Sequence, residues 1–280
     1  TDKGERVQKI VATFVLGKVM LKSAQTDSWE SVKVGRVLGL NDTLRVGDNS
    51  RISLQSETGS VVVIKDLSEV VLNSVLNPKT GEENTDIAIN SGKAIINPRK
   101  LQGNSKFAVR TPAMVAGVRG TVFTMEYRNN QSRVSVQEGK VAVKPTVDKE
   151  IEPKFKEVDV TPGQKAQISM KKVEELAKKA ESEPQSETIS QESIEVKGMD
   201  VQEQKTVEQE KKELVKLDIN LTGEQITAKD EQKNNVALAS VTISSLGNEI
   251  FINNAKVSTD YYSSLYSQGT ELNVEIKKQS

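Results

Sequence analysis

From residue 7 to residue 170 the chain is a succession of short apolar or alternating runs broken by turn-forming residues. The runs fall at Val7–Leu21, Val32–Leu40, Arg51–Leu54, Val61–Ile64, Ile87–Ile89, Ala94–Ile96, Phe107–Val109, Thr121–Tyr127, Arg133–Val136, Val141–Val143 and Ala166–Ile168. Arg133-Val134-Ser135-Val136 and Val141-Ala142-Val143 alternate cleanly, the period of a strand with one buried and one wet face. Gly47-Asp48-Asn49-Ser50, Glu57-Thr58-Gly59-Ser60, Asn77-Pro78-Lys79-Thr80-Gly81 and Asn129-Asn130-Gln131 supply turn chemistry between the runs. About a dozen short strands at this spacing predict a sandwich, barrel or β-roll. A small signature recurs at Gly17-Lys18-Val19, Gly35-Arg36-Val37, Gly92-Lys93-Ala94 and Gly139-Lys140-Val141. Its spacing is uneven, which excludes a fixed-period solenoid and makes it a repeated way of starting a strand.

At Met170 the period changes. Val173, Leu176, Ala177 and Ala180 follow the helical i, i+3, i+4, i+7 pattern, with Glu174–Lys178 and Glu175–Lys179 as i,i+4 pairs. Ser182–Asp200 has the composition of a polar linker, and Val201–Leu217 is a second helical candidate with only Val207 and Leu214 on its stripe. So sparse a stripe predicts a solvated, charged helical spacer. Strands return at Leu217–Leu221, Val236–Ile243, Glu249–Ile252 and Leu272–Ile276. The expected organisation is therefore a mainly β protein: a β domain over residues 1–170, a spacer over 171–218 and a small β-module over 219–280. The last piece is short for an independent core and is expected to dock on something.

Composition narrows the chemistry. No Phe, Trp or Tyr occurs between Phe155 and Phe251, so the middle of the chain is expected to lack a deep core of its own. The 280 residues include no cysteine and no histidine. That excludes disulfides, thiolate nucleophiles, a Ser-His-Asp triad, an HExxH zinc site and a two-His iron site. There is no GxGxxG, P-loop, GxSxG or EF-hand pattern, so no enzyme, metal site or cofactor is expected. Charge is zero overall, with 25 Lys and Arg against 19 acids in residues 1–170 and 14 against 20 in residues 171–280. So diffuse a surplus argues against nucleic acid as a partner. No apolar run approaches the ~20 residues of a membrane span. The polar start Thr1-Asp2-Lys3-Gly4-Glu5 reads as a mature chain freed of a signal peptide. Lys93, next to Gly92, and Lys165, two residues after Gly163, are expected at solvent-facing turns; the single Trp29 is expected as a buried strand aromatic.

One segment is distinctive: Phe107-Ala108-Val109-Arg110-Thr111-Pro112-Ala113-Met114-Val115-Ala116-Gly117-Val118-Arg119-Gly120-Thr121-Val122-Phe123. It resembles the signature of FecR domains, and the family's following V-x-V-x-x-G-x-V step is present as Val134 to Val141. Upstream, Trp29, Val34-Gly35 and Leu44-Arg45-Val46-Gly47-Asp48 are similar to the family's opening, and Val160-Thr161-Pro162-Gly163-Gln164 to its close. The resemblance covers roughly residues 7–170 and implies a FecR-type β-sandwich or β-roll. The residues read as structure: Thr111-Pro112 an extended dipeptide, Gly117 and Gly120 tight backbone, Thr121 a hydroxyl closing the turn. Arg119 is either a clamp bridging neighbouring carbonyls or a carboxylate, or a ligand contact.

FecR proteins classically sit in the periplasm and relay a signal from an outer-membrane receptor to a sigma-factor regulator; free-standing FecR domains in envelope proteins look like passive scaffolds. Loosely, Val241 to Val257 and Gly269 to Val274 resemble a PEGA-type module, also an envelope family. Tyr261, Tyr262 and Tyr266 gather three of the four tyrosines and form the candidate contact patch, or else cap the small C-terminal core. With that resemblance, a β domain and a small β-module joined by a charged helical spacer suggest a non-catalytic, extracytoplasmic adaptor that binds other envelope proteins as part of a larger assembly, for example the sheath of a periplasmic flagellum. The alternatives are a FecR-type signalling component and a peptidoglycan-binding module.

Overall fold

The structure is a computed structural model. It describes residues 4–26, 28–118, 120–182 and 194–214, and after these the strand backbones at 219–220, 227–229, 235–244, 249–252, 255–258, 261–267 and 274–277, with the side chains of Phe251, Ile252, Ser264 and Lys277.

The chain weaves between two sheets. β1 (Arg6–Val7) joins the first sheet, β2 (Ile10–Leu16) opens the second, and β3 (Val19–Lys22) and β4 (Trp29–Ser31) form a hairpin back in the first. β5 (Val37–Leu38) returns beside β2, β6 (Asp42–Val46) goes to the first sheet, and β7 (Arg51–Ser56) and β8 (Val61–Ile64) form a hairpin in the second. β9 (Ser68–Leu76) lies beside β6. The 15-residue β10 (Glu83–Asn97) then serves both sheets: up to Ser91 it pairs with β9, and from Gly92 it pairs with β13 and β8. β11 (Lys106–Arg110) runs parallel to β10, and β12 (Met114–Val118) returns along it in the first sheet. β13 (Val122–Arg128) and β14 (Gln131–Glu138) make a hairpin in the second sheet, β15 (Val141–Pro145) and β16 (Val158–Val160) one in the first, and β17 (Gln164–Ser169) closes on β14.

The inner faces share one core. Leu21, Leu44, Ile52, Ile64, Ile87, Met114, Phe123 and Met125 are fully buried in it. Each such side chain contributes about 1.5–3 kcal/mol on leaving water. The mainly β architecture read from alternation is the architecture present.

The recurrent Gly-Lys-Val steps mark the corners where the chain changes sheet. Gly17, Gly35, Gly92 and Gly139 all have positive φ, between 69° and 89°. At three of them a hydroxyl from an adjacent corner occupies the space of the missing Cβ. A Cβ on Gly92 would stand 2.0 Å from Ser68 Oγ, on Gly17 2.4 Å from Ser50 Oγ and on Gly139 2.8 Å from Thr121 Oγ1. The same hydroxyls accept the next amide: Lys93 N donates to Ser68 at 2.9 Å, Lys18 N to Ser50 at 2.8 Å and Lys140 N to Thr121 at 3.3 Å. The motif is therefore a corner unit of two chain segments, which a one-dimensional reading takes only as a strand start.

α1 (Met170–Ser182) buries Val173, Leu176 and Ala180 against the core. β18 (Glu195–Gly198) then adds an edge to β17, and α2 (Val201–Lys211) starts from a capping box on Asp200 and Glu203. The second helix was expected as a solvated spacer; α2 instead lies on the sheet through ion pairs, while α1 packs its apolar side against the core. The stripe on α2 is sparse because charge, not apolar area, holds it there. Trp29 also departs from expectation. It is half-exposed on edge strand β4, with the Arg45 guanidinium 4.2 Å above its ring and Glu69 pairing with Arg45 at 2.8 Å.

β19 (Ile219–Asn220), β20 (Thr227–Lys229) and β21 (Asn235–Ser244) extend the second sheet, which β24 (Tyr261–Ser267) links to β2. β22 (Glu249–Ile252), β23 (Ala255–Ser258) and β25 (Val274–Lys277) form a separate three-stranded sheet.

Candidate functional site

The most elaborated polar surface is the outer face of the second sheet, which α2 crosses. Two acids on the helix and one just past its C-terminus meet cations from the sheet below. Glu203 pairs with Lys165 on β17 at 2.5 Å, and Glu210 pairs with Lys93 on β10 and accepts from Thr124 Oγ1 on β13 at 3.2 Å. Glu213 takes Arg51 on β7 at 2.5 Å and Lys65, just after β8, at 2.8 Å. Between them Gln137 on β14 donates to the Val207 carbonyl at 3.3 Å, and Lys211 reaches Glu138 at 2.6 Å. Of the helix's residues only Val207 and Glu210 are buried. Lys93 and Lys165, expected to face solvent, are 21% and 18% exposed because α2 covers them.

The titrations follow this geometry. Burial pushes the Glu213 carboxyl up, but hydrogen bonds from Lys65 and Arg51, with their charges, outweigh it and hold the group below the usual carboxylate range. The hydrogen bond from Lys165 lowers Glu203 as well. Under the helix lies a cavity of about 150 Å³ with Lys93, Glu126, Arg133 and Ser135 as its floor and Glu203 and Val207 in its roof.

The distinctive sequence segment is internal framework. Thr111 is buried; its Oγ1 accepts from Met114 N at 3.0 Å and lies 2.6 Å from Ser132 Oγ, which ties the β11–β12 turn around Pro112 to β14. Thr121 is fully buried and donates to the Lys140 carbonyl at 2.9 Å, closing the corner at Gly139. Gly120 has φ +66°, as a tight turn requires. Gly117 does not need to be glycine: it sits in regular β12 backbone, and a Cβ would meet nothing nearer than the Ala142 carbonyl at 3.9 Å. Arg119 lies outside the described residues. Among the described residues no group of three His, Cys, Asp or Glu could hold a metal ion, and no helix is long and apolar enough to cross a membrane.

The family model described as "FecR protein" matches residues 42–142. The chain carries a FecR domain. No curated protein matches it. Two crystal structures of a "putative anti-sigma factor" from Parabacteroides distasonis ATCC 8503 are similar at 18% and 17% identity, with TM-scores of 0.38 and 0.35. Each covers 57% of this chain, which spans 61% of the other chain's length.

The FecR match runs from the start of β6 into β15. It supplies Arg51, Lys65, Lys93, Thr124 and Gln137, while α2, with its row of acids, comes from outside it. Much of the charged face of the FecR domain is thus covered by a later segment of the same chain. Sequence reasoning missed this face; its signal was Glu203 and Glu210, seven apart on one side of a helix, with Glu213 just past its end. Tyr261, Tyr262 and Tyr266 lie on β24, whose backbone pairs with β2 on one edge, Leu16 opposite Tyr262, and with β21 on the other. Their side chains lie outside the described residues.

Proposed function

We propose that this chain is a FecR-type signalling component of the bacterial cell envelope, non-catalytic and extracytoplasmic, which works by binding a receptor and a sigma-factor regulator. The observation that carries this reading is the FecR match over residues 42–142. The character of its signature agrees: Thr111 and Thr121 spend their hydrogen bonds inside the fold, so partner recognition falls to the outer faces. The test is affinity purification of the tagged, chromosomally expressed protein from its native envelope, with mass spectrometry. Recovery of an outer-membrane receptor and a sigma-factor regulator is the expected result.

The pairing of β24 with β2 favours a second reading, a structural adaptor with Tyr261, Tyr262 and Tyr266 as its contact patch. The backbone of that strand is paired into the second sheet through β2. Recovery of filament or envelope-machine subunits, lost when the three tyrosines become alanine, replaces the signalling reading with this one.

A further inference from the structure

The seat of α2 fits it incompletely. Among the described residues five buried side-chain atoms lack a hydrogen-bond partner. Three of them, Arg51 Nε, Arg133 Nε and Gln137 Oε1, belong to residues that touch the helix segment or lie beneath it. A well-fitted buried contact satisfies such groups. The cavity of about 150 Å³ between Val207 and the sheet is further surface that α2 leaves unfilled. What holds the helix is one buried valine and charge: Glu203 against Lys165, Glu210 against Lys93, and Glu213 against Lys65 and Arg51. These cations stay between 18% and 29% exposed with α2 in place, so salt and competing carboxylates can reach them.

We propose that the face beneath α2 is a docking site for an acidic helix of a partner protein, and that α2 covers it as an autoinhibitory contact. Charge complementarity selects the occupant. Lys165 and Lys93 stand where two carboxylates seven residues apart on one side of a helix reach them, with an apolar residue between, as Glu203, Val207 and Glu210 do. A partner helix with leucine in place of that valine fills the cavity and so outcompetes α2. While the cover is down, apparent affinity for the partner falls to the fraction of chains in which the face is open. The FecR match supplies Arg51, Lys65 and Lys93 but not the cover. The inference rests on the reading of this chain as one that works by binding partners, and adds how that binding is held off. Its test uses the purified chain alone, so it can fail while the envelope purification succeeds, and the reverse.

The probe is a fluorescent, alanine-rich helical peptide of about 16 residues that carries glutamate, leucine and glutamate at those three positions. It is titrated against the full chain at low salt and followed by anisotropy. Saturable one-site binding is expected, at least about tenfold tighter to the Glu210→Gln/Glu213→Gln double variant, whose cover is loosened, than to the parent. Adding Lys93→Gln and Lys165→Gln to the double variant should weaken that binding at least about tenfold. In the parent, saturating peptide should speed hydrogen exchange in 201–211 and leave α1 unchanged, because bound peptide and docked α2 exclude each other. No binding, binding no tighter in the double variant than in the parent, or α2 exchange unchanged with peptide bound would each overturn the proposal. So would equal binding of a peptide with its glutamates moved to opposite faces, or of unstructured polyglutamate.

Discussion

Replacing Glu210 and Glu213 together by glutamine keeps the shape of α2 and removes the charges that hold it. Three pairs are broken: Lys93–Glu210, Arg51–Glu213 and Lys65–Glu213. A hydrogen bond to a charged group contributes about 1.5–3 kcal/mol when buried. Here the three cations are 21%, 29% and 24% exposed, so solvent screening reduces each pair to about 1 kcal/mol. The double variant should therefore weaken docking by about 3 kcal/mol, or two orders of magnitude in the undocking equilibrium at ~1.4 kcal/mol per decade. An 11-residue helix is marginal on its own, so undocking melts it and its amides exchange. Native-state hydrogen exchange read by mass spectrometry should show peptides from 201–211 exchanging about a hundredfold faster at neutral pH and low salt. Peptides from α1 should not change, because Val173, Leu176 and Ala180 hold that helix by apolar burial. If α2 exchanges at the parental rate, or α1 and α2 accelerate together, charge is not what seats the helix.

The same face responds to pH. Glu213 and Glu203 both titrate below their unfolded values, so their contribution to docking is full above the unfolded value of about 4.3 and is lost as pH falls through the lower folded values. Protease cleavage within α2 should rise between pH 6 and pH 3, and an unchanged pattern there would contradict the assignment. Gly92→Ala forces a Cβ to within 2.5 Å of Ser68 Cα at φ +89° and should destabilise by more than about 2 kcal/mol, whereas Gly117→Ala should fall within about 0.5 kcal/mol of the parent in urea unfolding. Trp29 is the single tryptophan, so Arg45→Ala should red-shift the native fluorescence as the half-exposed indole loses its cover. A spectrum identical to the parent's would place Arg45 elsewhere in solution.

What could be read from the sequence was what repeats locally. Alternation at Arg133–Val136 and Val141–Val143 gave strands because burial on one face acts on every second residue of the same strand. The corner glycines were visible as a motif, but their reason was not: Ser68 meets Gly92, and Thr121 meets Gly139, only after the strands have stacked. Trp29 was misjudged because a strand aromatic on an outer face, shielded by an arginine, has the same local sequence as one in the core. The docking of α2 was missed for a related reason. Its apolar stripe is nearly absent, and the cations that replace it come from three strands and the residue just after a fourth.

The pairing of Phe14 with Ser264 joins one of the first strands to one of the last. A ribosome delivers β2 well before β24, so until residue 261 emerges the 14–16 edge of β2 stands open while the strands between them are already able to close. An open edge is a template for any passing strand. The nascent protein is thus most prone to misassembly in the interval before residue 261 emerges, and a chain truncated there would carry that vulnerability permanently.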